Sequence, residues 1–205
     1  MSNQSQRPIR ARSAEEKTRR RSEILLAAER LWATMPYAEL SMSHVAKEAK
    51  LAKGTLYLYF DTKEELFLAL LIEHMNTWLE KSILIFKEKK PQTASEVADL
   101  LILCGKETDS LRRLLVVFGS IAEKKINPEI TVELEQELDQ KISELVLQMP
   151  FDSKIGIQVL RQQYALWIGW QQLNQSLKLI SNQLNTSTET LAAEYQLTLK
   201  TMVDR

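Results

Sequence analysis

Apolar residues recur along most of the chain at spacings of three and four, and no segment demands a strand. Ser13 and Glu16 have the form of a capping box, and Ile24, Leu25, Ala28, Leu31 and Trp32 follow at helical spacing, which predicts a helix over about 14–33. Pro36 breaks that pattern. Ser41 is placed to cap a short helix reaching about Ala49, and a second short helix is expected from Lys53 to about Leu58. Neither is long enough to stand alone in water, so both must dock on the first helix through Leu40, Val45, Ala49, Leu51, Leu56 and Phe60. Asp61 and Thr62, before Lys63, Glu64 and Glu65, start a fourth helix that runs to about Lys89, short of Pro91. Further starts are expected at Thr93 with Glu96, at Thr108 or Asp109, and at Asn127 before Pro128. The Asn127 helix carries the stripe Ile130, Leu134, Leu138, Ile142, Leu145 and Met149, which Pro150 ends. Asp152 opens a helix of nearly thirty residues, and Thr186 with Glu189 caps a last one bearing Leu191, Tyr195, Leu197, Leu199 and Met202. The expectation is an all-α chain of about nine helices without an internal repeat.

Composition agrees with this reading. Apolar residues make up 44% of the 205 positions, enough for a packed core, and 5 Gly and 5 Pro leave little material for turn-rich sheets. The formal net charge is zero, so bulk charge does not argue for a polyanionic partner. Its distribution does. Arg7, Arg10, Arg12, Lys17, Arg19, Arg20 and Arg21 face only Glu15 and Glu16 within the first 22 residues, which places any nucleic-acid surface at the N-terminus. Residues 1–12 are polar, basic and aperiodic, and a disordered basic arm is expected there. The single Cys104 is expected as a buried thiol in a reducing compartment. The basic start lacks the apolar core of a secretory signal and no apolar run is long enough for a bilayer, so a cytoplasmic, non-membrane protein is expected.

Catalysis is not expected. There is no glycine-rich phosphate loop and no nucleophile elbow, and the only histidines are His44 and His74. Three residues before them stand Ser41 and Leu71, so the Glu-x-x-His spelling of a di-iron bundle is missing; neither metal nor cofactor is called for.

A short helix, a tight turn and a second short helix held by a third is the helix-turn-helix arrangement, whose second element enters the major groove. Leu56 and Phe60 would face the core while Lys53, Thr55, Tyr57 and Tyr59 keep polar tips toward DNA. The run from Ser41 to Phe60, with Val45-Ala46 and Gly54-Thr-Leu-Tyr-Leu-Tyr-Phe60, then Lys63-Glu64-Glu65-Leu66, resembles the TetR-type transcriptional regulators over about residues 15–80. Lys50 stands where that family usually has a turn glycine, and Ala52 where it usually has a Ser or Thr cap. A strained or altered turn and the loss of about 1 kcal/mol of capping are therefore expected. The resemblance implies that Thr55 and Tyr57 touch phosphates or base edges and that Tyr59 and Lys63 bind phosphate. Lys53 is the candidate base reader, and Ser43 and His44 are placed to reach backbone or an edge base.

The same resemblance makes residues 13–74 the DNA-binding domain and 75–205 a helical effector-binding and dimerisation domain. Trp78, Phe118, Tyr164 and Trp167, with Phe86 and Trp170, are candidates to line a cavity, although aromatics at helical spacing also suit a plain core. Gly169, in mid-helix, marks either a close helix approach or room for a ligand. Gln158, Gln162, Gln163, Gln171, Gln172 and Gln175 form a polar, uncharged face whose simplest reading is solvation. The implied function is that of a homodimeric, palindrome-binding regulator, by family default a repressor. A small-molecule effector releases it through the fourth helix. The alternative is a helical interaction scaffold that has lost DNA binding.

Overall fold

The computed structural model describes residues 9–122, 128–180, 193, 197–198 and 200–201. Among these residues there are eight helices and no strand. They are α1 (Ile9–Thr34), α2 (Met42–Glu48), α3 (Lys53–Leu56), α4 (Lys63–Lys89), α5 (Ala94–Cys104), α6 (Asp109–Ala122), α7 (Pro128–Val146) and α8 (Ser153–Ile180). The Asn127 start, the Thr186 cap and residues 1–8 of the arm lie outside the described residues, as do the Ile130 and Leu134 side chains.

Several boundaries follow from caps visible in the sequence. Thr93 and Glu96 form a complete capping box at α5. Thr62 Oγ1 accepts from the Glu65 N–H at 3.0 Å, capping α4, while the Glu65 carboxylate reaches back one residue past the cap to accept from the Asp61 N–H at 2.9 Å. Asp152 Oδ1 accepts from the Ile155 N–H at 3.0 Å to open α8. Two boundaries differ from expectation. Helix α1 begins at Ile9, so residues 9–12 are helical where a disordered arm was expected, and Ser13 lies inside the helix; Arg and Ala are good helix formers and extend it toward the N-terminus. Helix α7 ends at Val146, four residues before Pro150, with a turn over 147–148 between them.

The chain divides into two compact units, Met1–Leu70 and Leu71–Arg205. In the first, α2 packs on α1 and α3 on α2. Ile24, Leu25, Ala28 and Trp32 of α1, Val45 and Ala46 of α2, Leu56, Phe60, and Leu66 and Phe67 of α4 are all buried. Phe67 receives two edge-on rings, Trp32 at 5.8 Å and Tyr37 at 5.1 Å, each worth about 0.5–1.5 kcal/mol beyond area burial. In the second unit, α6 and α7 pack against α8, and Leu79, Phe86, Val97, Leu101, Leu111, Leu114, Leu145, Val146, Met149 and Val159 form the core. Cys104 is a buried free thiol, and burial raises its pKa.

Candidate functional site

The helix-turn-helix is built from backbone accounting. At the start of α2, Ser41 is extended (φ −136°, ψ 158°) and its hydroxyl accepts from the His44 N–H at 3.3 Å. At the end, the Leu51 N–H donates to Ala46 O at 2.8 Å and the Lys50 N–H to Lys47 O at 3.1 Å, the paired bonds of a Schellman turn. That turn needs a left-handed residue, and Lys50 supplies it at φ 56°. The position that favours glycine therefore keeps its shape with a lysine, at a cost of about 1 kcal/mol. Ala52 then occupies the N-cap of α3 with no side-chain bond to the helix. Helical coiling continues past Leu56 through Leu58 N–H to Thr55 O, Tyr59 N–H to Leu56 O, and Phe60 N–H to Leu56 O.

This frame sorts the recognition segment by depth. Leu56 and Phe60 are fully buried, and the Arg21 guanidinium lies 5.1 Å from the centre of the Phe60 ring. Ser43, His44 and Lys53 are exposed, Tyr57 is 41% exposed, and Thr55 and Tyr59 are half-buried. The Lys53 ammonium lies 5.9 Å from the Tyr57 ring centroid, so the two share one patch. A Cβ built on Gly54 would meet nothing within 4 Å, and no glycine of the described residues has a positive φ. Nothing in the chain's own packing calls for glycine there. Leu58 was not singled out from the sequence, yet it is the most exposed large apolar side chain among the described residues, at 76%. Its signal was available: with Leu56 and Phe60 inward, helical coiling turns residue 58 outward.

Lys63 is placed differently from the others. Its ammonium donates to the carbonyls of Tyr37 and Leu40, both at 3.0 Å, and lies 4.0 Å from the Tyr37 ring centroid. The Tyr37 hydroxyl donates to Glu64 at 3.3 Å. Burial first, then the Glu64 carboxylate, push that phenol well above the ordinary tyrosine range. Lys63 and Glu64 thus pin the loop between α1 and α2 onto the start of α4, and any phosphate contact by Lys63 competes with those carbonyls.

The second unit contains a cavity of about 540 Å³, within the usual range for small-molecule sites. Its apolar wall includes Met75, Leu115, Ile142, Ile157 and Leu160, and its polar groups are Asp139, Ser143, Arg161 and Gln163. Trp78, Tyr164 and Trp167 line it, whereas Phe118 does not; from α6 the lining takes Leu115. Phe86 is core, at 0% exposure. Trp78 and Trp167 meet edge-to-face at 5.0 Å. Gln163 was expected on a solvated face and is instead buried, at 1% exposure, as is Gln171 at 9%. Both lie four residues from Trp167, so they share its inward stripe of α8.

Residues 24–70 match the model of the bacterial regulatory proteins of the tetR family. The fatty acid metabolism regulator protein of Bacillus subtilis (strain 168) is 38% identical over 80 residues, covering 39% of this chain and 40% of that protein. The uncharacterized HTH-type transcriptional regulator YuxN of the same strain is 31% identical over 148 residues, covering 65% of this chain and 44% of that protein. The matched stretches therefore span less than half the length of these two relatives. In fold, the chain is similar to a TetR transcriptional regulator from Rhodococcus sp. RHA1 (TM-score 0.59, 16% identity, 92% of this chain and 97% of that one). It is also similar to Thermus thermophilus FadR, solved in complex with lauroyl-CoA (TM-score 0.58, 16% identity, 89% and 92%). The helix-turn-helix segment, residues 24–70, is thus matched by the model of the bacterial regulatory proteins of the tetR family, and the chain as a whole shares the helical fold of these solved regulators.

Proposed function

We propose that the chain is a sequence-specific transcriptional regulator that binds a palindromic site in double-stranded DNA as a homodimer, and that a small molecule held in the cavity of the second unit releases it. The observation that carries the DNA-binding reading is the sorting of residues 53–60: Leu56 and Phe60 are locked in the core while Lys53, Gly54 and Tyr57 share an accessible face. A rigid short helix presenting a cation, a flat glycine and a phenol suits a major groove about 12 Å wide. Lys53 reads a base, Thr55, Tyr57 and Tyr59 take phosphates or base edges, and Ser43 and His44 reach the flank; Lys63 serves phosphate only after giving up a carbonyl. Residues 13–74 then form the DNA-binding domain and 75–205 the effector and dimer domain, working in the cytoplasm as a repressor. Helix α4 contributes Leu66 and Phe67 to the first unit's core and Met75 and Trp78 to the cavity wall, so it is the element through which an effector acts. For coupling, the effector must bind the DNA-free state more tightly than the DNA-bound one.

The test is fluorescence anisotropy on the chain's own upstream DNA. Lys53→Ala and Tyr57→Ala are expected to weaken specific binding by about 1–3 kcal/mol each, with circular dichroism unchanged. Gly54→Ala separates fold from function: it stabilises α3 by about 0.5–1 kcal/mol in urea, yet weakens DNA binding, because only the approaching DNA lacks room for a methyl. Wild-type affinity in all three variants sinks the assignment. A chain with no sequence-selective binding at all is the interaction scaffold instead.

A further inference from the structure

Resting on the reading of the cavity as an effector site, the structure assigns it a chemical class: we propose that it takes an uncharged, largely apolar ligand carrying a hydrogen-bond acceptor such as a ketone, ester or ring nitrogen. The Trp78 and Trp167 side chains are 7% and 3% exposed, and each indole Nε1 is fully buried without a hydrogen-bond partner. Buried indole N–H groups ordinarily find an acceptor, and an unmet one carries its whole desolvation penalty. The two rings meet at 5.0 Å with their planes 69° apart, a geometry in which one N–H can point at the other ring's face but both cannot do so at once. At least one donor is therefore left over; because each Nε1 is almost without accessible surface, a guest in the cavity reaches it by parting the two rings.

The lining tells against charged guests. The buried polar member is the neutral amide of Gln163, 1% exposed, while both charged lining residues, Asp139 and Arg161, are exposed and opposite in sign. A carboxylate or ammonium drawn inside would meet indoles, Met75, Leu115, Ile142, Ile157 and Leu160 with no buried countercharge. A bare hydrocarbon would leave the indole donor as it is. A neutral acceptor satisfies both conditions.

The probes are benzophenone and diphenylmethane, alike in shape but differing by C=O for CH₂, with laurate as the anion and tetraphenylphosphonium as the cation. Binding is measured by calorimetry on the full chain without DNA. Benzophenone is expected to bind about tenfold more tightly than diphenylmethane, and more tightly than either ion. In Trp78→Phe or Trp167→Phe, which keep an aromatic ring and remove one N–H, that preference falls below about threefold in at least one variant. Equal affinity for ketone and hydrocarbon, no binding of the ketone, tighter binding of an ion, or an unchanged preference in both variants overturns the proposal. The wild-type comparison stands even where a variant does not fold. Operator binding is followed separately by anisotropy: selective DNA binding by a chain that ignores the ketone removes the ligand class alone, whereas ketone binding by a chain with no selective DNA binding removes the regulator reading alone.

Discussion

Lys50 holds φ at 56° so that α2 can close with its paired backbone bonds from Lys50 to Lys47 and from Leu51 to Ala46. For an L-residue with a Cβ this region is costly, and glycine enters it freely. Lys50→Gly is therefore expected to stabilise the fold. Relief of strain outweighs the greater freedom of glycine in the unfolded chain, for a net gain of about 0.5–1 kcal/mol. A urea titration reads this as a higher midpoint at constant slope, and a lower midpoint would refute the strain account. The departure from the family's glycine was legible in the sequence; that the turn kept its form was not, because the choice between strain and a new turn rests on how firmly Val45, Ala46 and Leu56 anchor either side. Lys63 shows the opposite limit. Its spelling matched a phosphate-binding pattern, but only the folded loop brings the carbonyls of Tyr37 and Leu40 within 3.0 Å of its ammonium.

At the level of elements, α8 departs most from its pattern. Mid-helix Gly169 was expected to mark a close approach or ligand space, yet a Cβ there would meet nothing within 4 Å and the residue is outside the cavity lining. The close approach is at Gly156, where an added Cβ would fall 2.6 Å from Val146 Cγ1 at the end of α7. Valine is stiff at χ1, so it cannot swing aside cheaply. Gly156→Ala is expected to lose about 1–3 kcal/mol to overpacking, more than the helix propensity it gains, while Gly169→Ala in the same helix gains about 0.5–1 kcal/mol. Thermal melts of the two variants moving in opposite directions meet this expectation; a stable Gly156→Ala chain would mean that α7 and α8 separate freely. Both glycines look alike in the sequence, since neither periodicity nor caps report which neighbour will lie across a helix. Gln163 and Gln171, read from the sequence as part of a solvated face, are buried for the same reason: polarity predicts solvent until a partner helix covers the stripe.

For the whole molecule, charge is the property with a measurable consequence. The chain is neutral overall, but its first 22 residues carry seven basic groups against two acidic ones. DNA binding that uses them releases counterions, so affinity must fall steeply with salt, by about 0.9 in log–log slope per phosphate contacted. Removing residues 2–12, with Arg7, Arg10 and Arg12, is expected to flatten that slope by up to about 3 units, while preference among DNA sequences stays with Lys53 and its neighbours. An unchanged slope would take this segment off the DNA. The sequence by itself determined the helical class, the main helix starts and the apolar frame of the helix-turn-helix, since caps, periodicity and docking positions are local and repeat within a turn or two. Only the tertiary structure decided which lysine projects and which is tied to carbonyls, which glycine is a contact, and that Trp78 and Trp167 bury two indole donors beside one cavity. Those outcomes depend on groups brought together from distant parts of the chain, and burial is what turns a missing partner into free energy.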